Sequence, residues 1–185
     1  MKRYVYLLVA ILLFASSTKA QMVLTPAGFR DPSDTTKSFV VFDNAGKGKR
    51  QLFNEALSTI NKSVLIDAKK RNIDTVGGTS IHIYGETMPM RVSPGSFLYY
   101  WKYAVTFSFK DEKVKFEVDK LIFEEKGSNG ESFKIHNPKK RTLKHQAIFG
   151  YQEKLVDPEA KENIELFVND IINKTLKGIK DWDSW

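Results

Sequence analysis

Cysteine does not occur in the 185 residues, and histidine occurs only as His82, His136 and His145. The first absence excludes disulfides, thiolate nucleophiles, cysteine-held metals and a lipidated N-terminal cysteine. The second leaves little for imidazole chemistry. No histidine has the i, i+4 partner of a helical zinc site, and no Gly-x-Ser-x-Gly elbow seats a nucleophilic serine. Neither a metal nor a cofactor is expected on these grounds. Long apolar runs are also scarce: only Tyr4 to Ala15 is sustained, and it is shorter than the roughly 20 residues that a membrane-spanning helix needs.

What is present begins with that run. Lys2 and Arg3 precede it, and Ser16, Ser17, Thr18, Lys19 and Ala20 follow it, the charged, apolar and small-residue order of a secretory signal peptide. The expectation is a signal over residues 1–20, cut after Ala20, and hence an exported protein, periplasmic or secreted, with no transmembrane segment after cleavage. Loss of Lys2, Arg3 and Lys19 lowers the formal charge from +7 to +4. So modest an excess does not indicate a nucleic-acid partner. An exported chain without cysteine must be held by packing alone, and its length suits one domain with a sizeable core.

Residues 21–37, with Pro26, Gly28, Pro32, Ser33 and Asp34, lack sustained periodicity and read as an extended leader. A single α+β domain is expected over residues 38–180, with a basic insertion at about 126–150 and a short tail over 181–185. Phe39 to Phe42 form an apolar run suited to a buried strand, and Leu52, Phe53, Ala56, Leu57 and Ile60 recur at helical spacing over Lys47 to Asn61. Val64 to Ala68 reads as a second strand. After Gly77 and Gly78, a third runs from Thr79 to Glu86. Tyr99 to Lys110 alternates strictly, with Trp101, Tyr103, Val105, Phe107 and Phe109 on one face and Tyr100, Lys102, Ala104, Thr106 and Ser108 on the other. Asp111 and Glu112 turn the chain, and Val114, Phe116 and Val118 restart the alternation. Leu121, Ile122 and Phe123 break its parity, which predicts a bulge near Asp119 and Lys120. Asp157 and Pro158 open a last helix whose stripe is Ile164, Phe167, Val168, Ile171, Ile172, Leu176 and Ile179. Each helix has one apolar stripe, so both should pack on one face of an antiparallel sheet and leave the other open.

This strand, helix, four-strand, helix order, with Gly46, Lys47, Lys49, Leu52, Phe53, Ala56 and Leu57 opening the first helix, resembles a secreted bacterial domain of unknown function with a TBP-like fold. The hairpin is similar too, in Tyr103, Phe107, Lys110, Asp111, Lys113, Phe116 and Asp119, although Glu112 stands where glycine is usual and a long basic segment follows. The resemblance implies a curved sheet of β-α-β-β-β-β-α order. It brings no chemistry, and the TBP likeness of architecture carries no DNA binding with it.

Two surfaces remain as candidates. If the third strand pairs with the fourth, His82, Tyr84, Glu86, Tyr100 and Lys102 project together from the open face as a ligand-binding set; the plain alternative is a solvated sheet face. The second is Lys126 to Gly150, where Lys134, Lys139, Lys140, Arg141 and Lys144 outweigh the single acid Glu131. It reads as a peripheral basic segment attracted to an acidic envelope polymer or another envelope protein, although Phe133 and Ile135 alternate as in a short extra strand. Gly46 to Arg50 lacks the Walker pattern and reads as a solvated turn before a helix rather than a phosphate site. The resulting expectation is an exported, non-catalytic binding or interaction module of the cell envelope. The rival is an envelope hydrolase using carboxylates and His82 on the open face.

Overall fold

The computed structural model describes residues 21–64, 68–127, 133–139 and 146–181. The signal expected over residues 1–20, and Trp182 and Trp185 of the tail, lie outside them. The chain opens with a hairpin of β1 (Val23–Thr25) and β2 (Gly28–Arg30), followed by β3 (Phe39–Asp43) and α1 (Lys49–Ser63). Next come β4 (Ala68–Val76), β5 (Ser80–Thr87), the short β6 (Met90–Arg91), β7 (Leu98–Lys110) and β8 (Lys113–Glu125). Finally β9 (Lys134–His136) and β10 (Ala147–Phe149) precede α2 (Pro158–Asp181). The main sheet is antiparallel in the order β3-β8-β7-β5-β4, and β6 pairs the start of β7. Both helices lie on one of its faces, as the two apolar stripes require. Phe53 of α1 meets Phe109 edge-on at 5.7 Å, and Phe167 of α2 meets Trp101 and Tyr103 at 5.3 and 5.4 Å. The fold is the α+β arrangement read from the periodicity.

The core face of the sheet is the aromatic set read from β7, with Ile81, Ile83, Val114, Phe116 and Phe123 beside it, all buried. The bulge falls where the parity break put it: Ala104 pairs Lys120 while Val105 pairs Val118, so Asp119 is the extra residue. In α2 the Asp157 carboxylate accepts from the Ala160 N–H at 3.1 Å and from the Ser93 hydroxyl at 2.9 Å. This is an N-cap held from the other side by a loop. Gly178 sits where a Cβ would lie 2.2 Å from Thr59 Oγ1, so its missing side chain is what lets α2 cross α1 this closely.

The structure departs from the sequence reading at three places. Residues 21–37, read as a leader, contain the β1–β2 hairpin, with Met22, Leu24 and Phe29 buried. Asn169 of α2 both accepts from the Met22 N–H and donates to its carbonyl, and Glu165 accepts from the Leu24 N–H. A three-residue strand is too short to show a period, so its docking was invisible locally. The strand read over Val64 to Ala68 gives way to β4. Val64 ends α1, residues 65–67 lie outside the described set, and the strand proper is the polar run from Ala68. It is a sheet edge, where charged side chains are favoured, and Arg71 donates to the carbonyls of Ile60 and Val64 at the end of α1. The basic segment, read as peripheral, contributes core. Phe133 is 3% exposed and packs against Tyr99 and Phe123, while β9 and β10 form a parallel pair with Ala147, Ile148 and Phe149 buried. The apolar alternation of Phe133 and Ile135 therefore outweighed the surrounding lysines.

Candidate functional site

The open face is built by register. Glu86 pairs Lys102, Tyr84 pairs Ala104 and His82 pairs Thr106 across β5 and β7, while Tyr100 pairs Glu124 across β7 and β8. His82, Tyr84, Glu86, Tyr100 and Lys102 therefore share one face, as the pairing of these strands demands. The sheet's curvature makes part of that face a concavity of about 610 Å³, lined by Tyr84, Glu86 and Lys102 together with Lys70, Asn72 and Ile122. His82 and Tyr100 lie outside this lining. Tyr84 stands 45% exposed in it.

Its two carboxylates, Glu86 and Glu124, are paired. Lys69 is the extra residue at a register shift between Ala68 and Lys70, and its ammonium reaches Glu86 at 2.9 Å while standing 4.3 Å from the Tyr100 ring centre. Lys102 pairs Glu124 at 2.6 Å. The Lys69 hydrogen bond holds the Glu86 carboxyl below the usual range; the charges of Lys69, Lys70 and Lys102 add to this and burial opposes it. Lys69 is raised in return, chiefly by the same bond. Sequence reading passed over Lys69, because its register depends on a bulge in an unrecognised strand.

One row toward the β7–β8 turn lies a connected polar chain. Thr106, 3% exposed, donates to Asp119 Oδ2 at 2.6 Å, and its oxygen lies 2.9 Å from His82 Nδ1. A hydroxyl has one proton. Since the carboxylate takes it, His82 Nδ1 must be the donor to Thr106, which leaves Nε2 of the neutral ring as an acceptor. Only the bulge brings Asp119 into reach, so spacing along the sequence did not reveal this chain. Among the described residues no group of three or more histidines, aspartates and glutamates is arranged to hold a metal ion.

The other candidates separate. Lys134 and Lys139 are exposed on and after β9; Lys140, Arg141 and Lys144 lie outside the described residues. The α1 N-terminus, weighed above as a phosphate site or a solvated turn, is filled by the protein's own acids. Asp111 accepts from the Lys49 N–H at 2.8 Å, and Glu112 accepts from the Gly46 N–H at 3.0 Å while its own N–H donates to the Lys47 carbonyl. Glu112 adopts the left-handed φ of 61° that glycine would take more readily.

No family model and no curated protein matches the chain. Solved structures that share its fold include the following two. A TBP-like protein from Parabacteroides distasonis aligns with a TM-score of 0.54 at 12% identity, over 77% of this chain and 91% of that one. A DUF4468 family protein from Bacteroides ovatus aligns with a TM-score of 0.51 at 17% identity, over 76% and 84%. At these identities the likeness is one of architecture: a TBP-like α+β fold shared with a domain of unknown function.

Proposed function

We propose that the chain is an exported, non-catalytic binding module of the bacterial cell envelope that takes its ligand in the concavity of the open sheet face. The observation that carries this reading is the state of the carboxylates there. Glu86 and Glu124 are tied to Lys69 and Lys102, and Glu86 is held below the ordinary carboxylate range. A hydrolytic general acid needs the opposite shift, toward neutral pH. Tyr84, with its exposed ring, and Lys102 offer stacking and a charged donor instead. Export rests on the Lys2, Arg3 and apolar order of the first twenty residues. An acidic envelope polymer or a second envelope protein suits the exposed Lys134 and Lys139.

The test is a titration of the exported form with fractionated envelope polymers, followed by NMR of the β5 and β7 amides. Saturable shifts around Tyr84 and Lys102, weakened about tenfold or more by Tyr84→Ala, are expected. The rival hydrolase has one specific point in its favour, the His82 Nε2 acceptor at the end of the Thr106–Asp119 chain. Turnover of an envelope glycan or ester that is lost in His82→Gln would replace the binding reading with that one.

A further inference from the structure

A second cleft opens on the same sheet face next to the β7–β8 turn. It measures about 700 Å³ and shares no lining residue with the concavity around Tyr84. Four lysines line it, Lys49, Lys110, Lys113 and Lys115, and among the described residues no acidic side chain does. They come from separate parts of the sequence, brought together because β3, β8, β7 and β5 lie side by side and α1 starts against the turn. Ser80 and Ser108, directly paired across β5 and β7, add hydroxyls, and Phe39 and Val41 supply an apolar wall, with Val41 46% exposed.

The charge arrangement there is costly without a counterion. Lys110 and Lys113 are a direct cross-strand pair, and like charges facing each other across a ladder are destabilising. Lys113 is countered by Asp43, itself 80% exposed, and Lys115 by Glu117. Both acids lie outside the lining. Among the described residues, Lys49 and Lys110 have no ion-pair partner. The concavity around Tyr84 also holds lysines without an ion pair among those residues, Lys70 and Lys120, but Glu86 and Glu124 line it with them, whereas this cleft has lysines and no lining carboxylate. The Lys115 ammonium stands 5.3 Å from the Phe39 ring centre, which places its head beside the apolar wall.

We propose that this cleft binds a phosphoryl group, with Lys49 and Lys110 as its principal charged contacts, Ser80 and Ser108 as hydroxyl donors, and the apolar part of the ligand against Phe39 and Val41. A carboxylate carries one charge, whereas a phosphate monoester carries about −1.5 to −2 at neutral pH and has three terminal acceptor oxygens. Two unmatched ammonium groups and two hydroxyls match the latter better, and lysine serves phosphate well as a point charge. The site is independent of the concavity proposed above.

The experiment titrates the protein with inorganic pyrophosphate and with glycerol phosphate, following amide shifts. It separately sediments the protein with vesicles of phosphatidic acid in phosphatidylcholine and of phosphatidylcholine alone. Saturable shifts at Ser80, Ser108 and Lys110, with affinity falling as salt rises, are expected. Lys110→Ala and Lys49→Ala should each weaken binding about tenfold or more, while Lys174→Ala, which lowers the net charge equally from an exposed position on α2, and Tyr84→Ala leave it unchanged. Co-sedimentation with phosphatidic acid that pyrophosphate displaces assigns the phosphoryl group to a lipid headgroup; binding of the small phosphates without co-sedimentation assigns it to a soluble ligand. The proposal is overturned if neither arm binds, or if Lys174→Ala weakens binding as much as Lys110→Ala. Shifts that map to Tyr84 rather than Ser108 overturn it as well.

Discussion

Tyr103 shows how one side chain can set a pH limit. Burial pushes its phenol up to about 12, against a smaller pull from Arg71, and its buried hydroxyl has no hydrogen-bond partner among the described residues. The unfolded phenol ionises near 10.0 while the folded one stays protonated to about 12. Between those values the unfolded state binds fewer protons, so this contribution to stability is complete below 10.0 and is lost as pH rises toward 12. Tyr103→Phe removes an unpaired donor, and we expect stability at pH 7 to hold or to rise by about 1 kcal/mol, with a shallower alkaline decline. What decline survives belongs to groups such as Lys37, Lys69 and Lys113, whose raised values act with the same sign. Denaturant midpoints at pH 7, 9 and 11 for the two proteins decide this; a marked loss at pH 7 would mean that the hydroxyl has a partner after all. Tyr103 was legible from parity as a core residue. Its orphaned hydroxyl was not, because that depends on Gly85 leaving room: a Cβ there would lie 1.9 Å from the phenol oxygen.

At the scale of elements, α1 and the β7–β8 hairpin form one unit. The helix has Gly48 at its N-cap, without a side-chain cap of its own, and the Asp111 carboxylate from the hairpin turn takes the role. Lys47 ties this unit to α2, donating to buried Glu55 of α1 at 2.9 Å and to the Ile179 carbonyl near the end of α2 at 2.6 Å. Asp111→Ala should cost about 0.5–2 kcal/mol, the usual range for a lost N-cap. It should also raise hydrogen exchange in the first turn of α1, although the substitution lies in another element. Unchanged exchange at Lys49 to Phe53 would show that the turn does not hold the helix. The helix itself was plain from its stripe, yet the group that starts it stands 62 residues away and leaves no local signal.

For the whole molecule, the informative segment is the one read as a basic appendage. Phe133 inserts between Tyr99 and Phe123 with ring centres 5.8 and 5.7 Å away, which makes β9 and β10 part of the same core as the main sheet. Phe133→Ala should therefore cost about 3–5 kcal/mol, as large-to-small changes at buried aromatics do. That is a sizeable share of the roughly 5–15 kcal/mol that holds a domain of this size. A single cooperative transition with a lowered midpoint is expected in thermal or denaturant unfolding. A variant as stable as the parent would return the segment to the periphery. Lys134 and Lys139 are exposed, and substitutions at such surface positions usually cost little stability.

The sequence by itself determined α1, α2, the β7–β8 hairpin with its bulge, and the parity that puts Tyr84, Glu86 and Lys102 on one face. Each rests on a period of two or 3.6 sustained over enough residues to outweigh chance. Only the tertiary structure decided the β1–β2 hairpin, the edge strand β4, the core role of Phe133 and the His82–Thr106–Asp119 chain. The same holds for the four-lysine cleft. These depend on partners far apart in sequence, as Met22 and Asn169 are at 147 residues. In short strands or bulges of this kind, which face a side chain takes is set by the neighbour it packs on, not by the residues beside it.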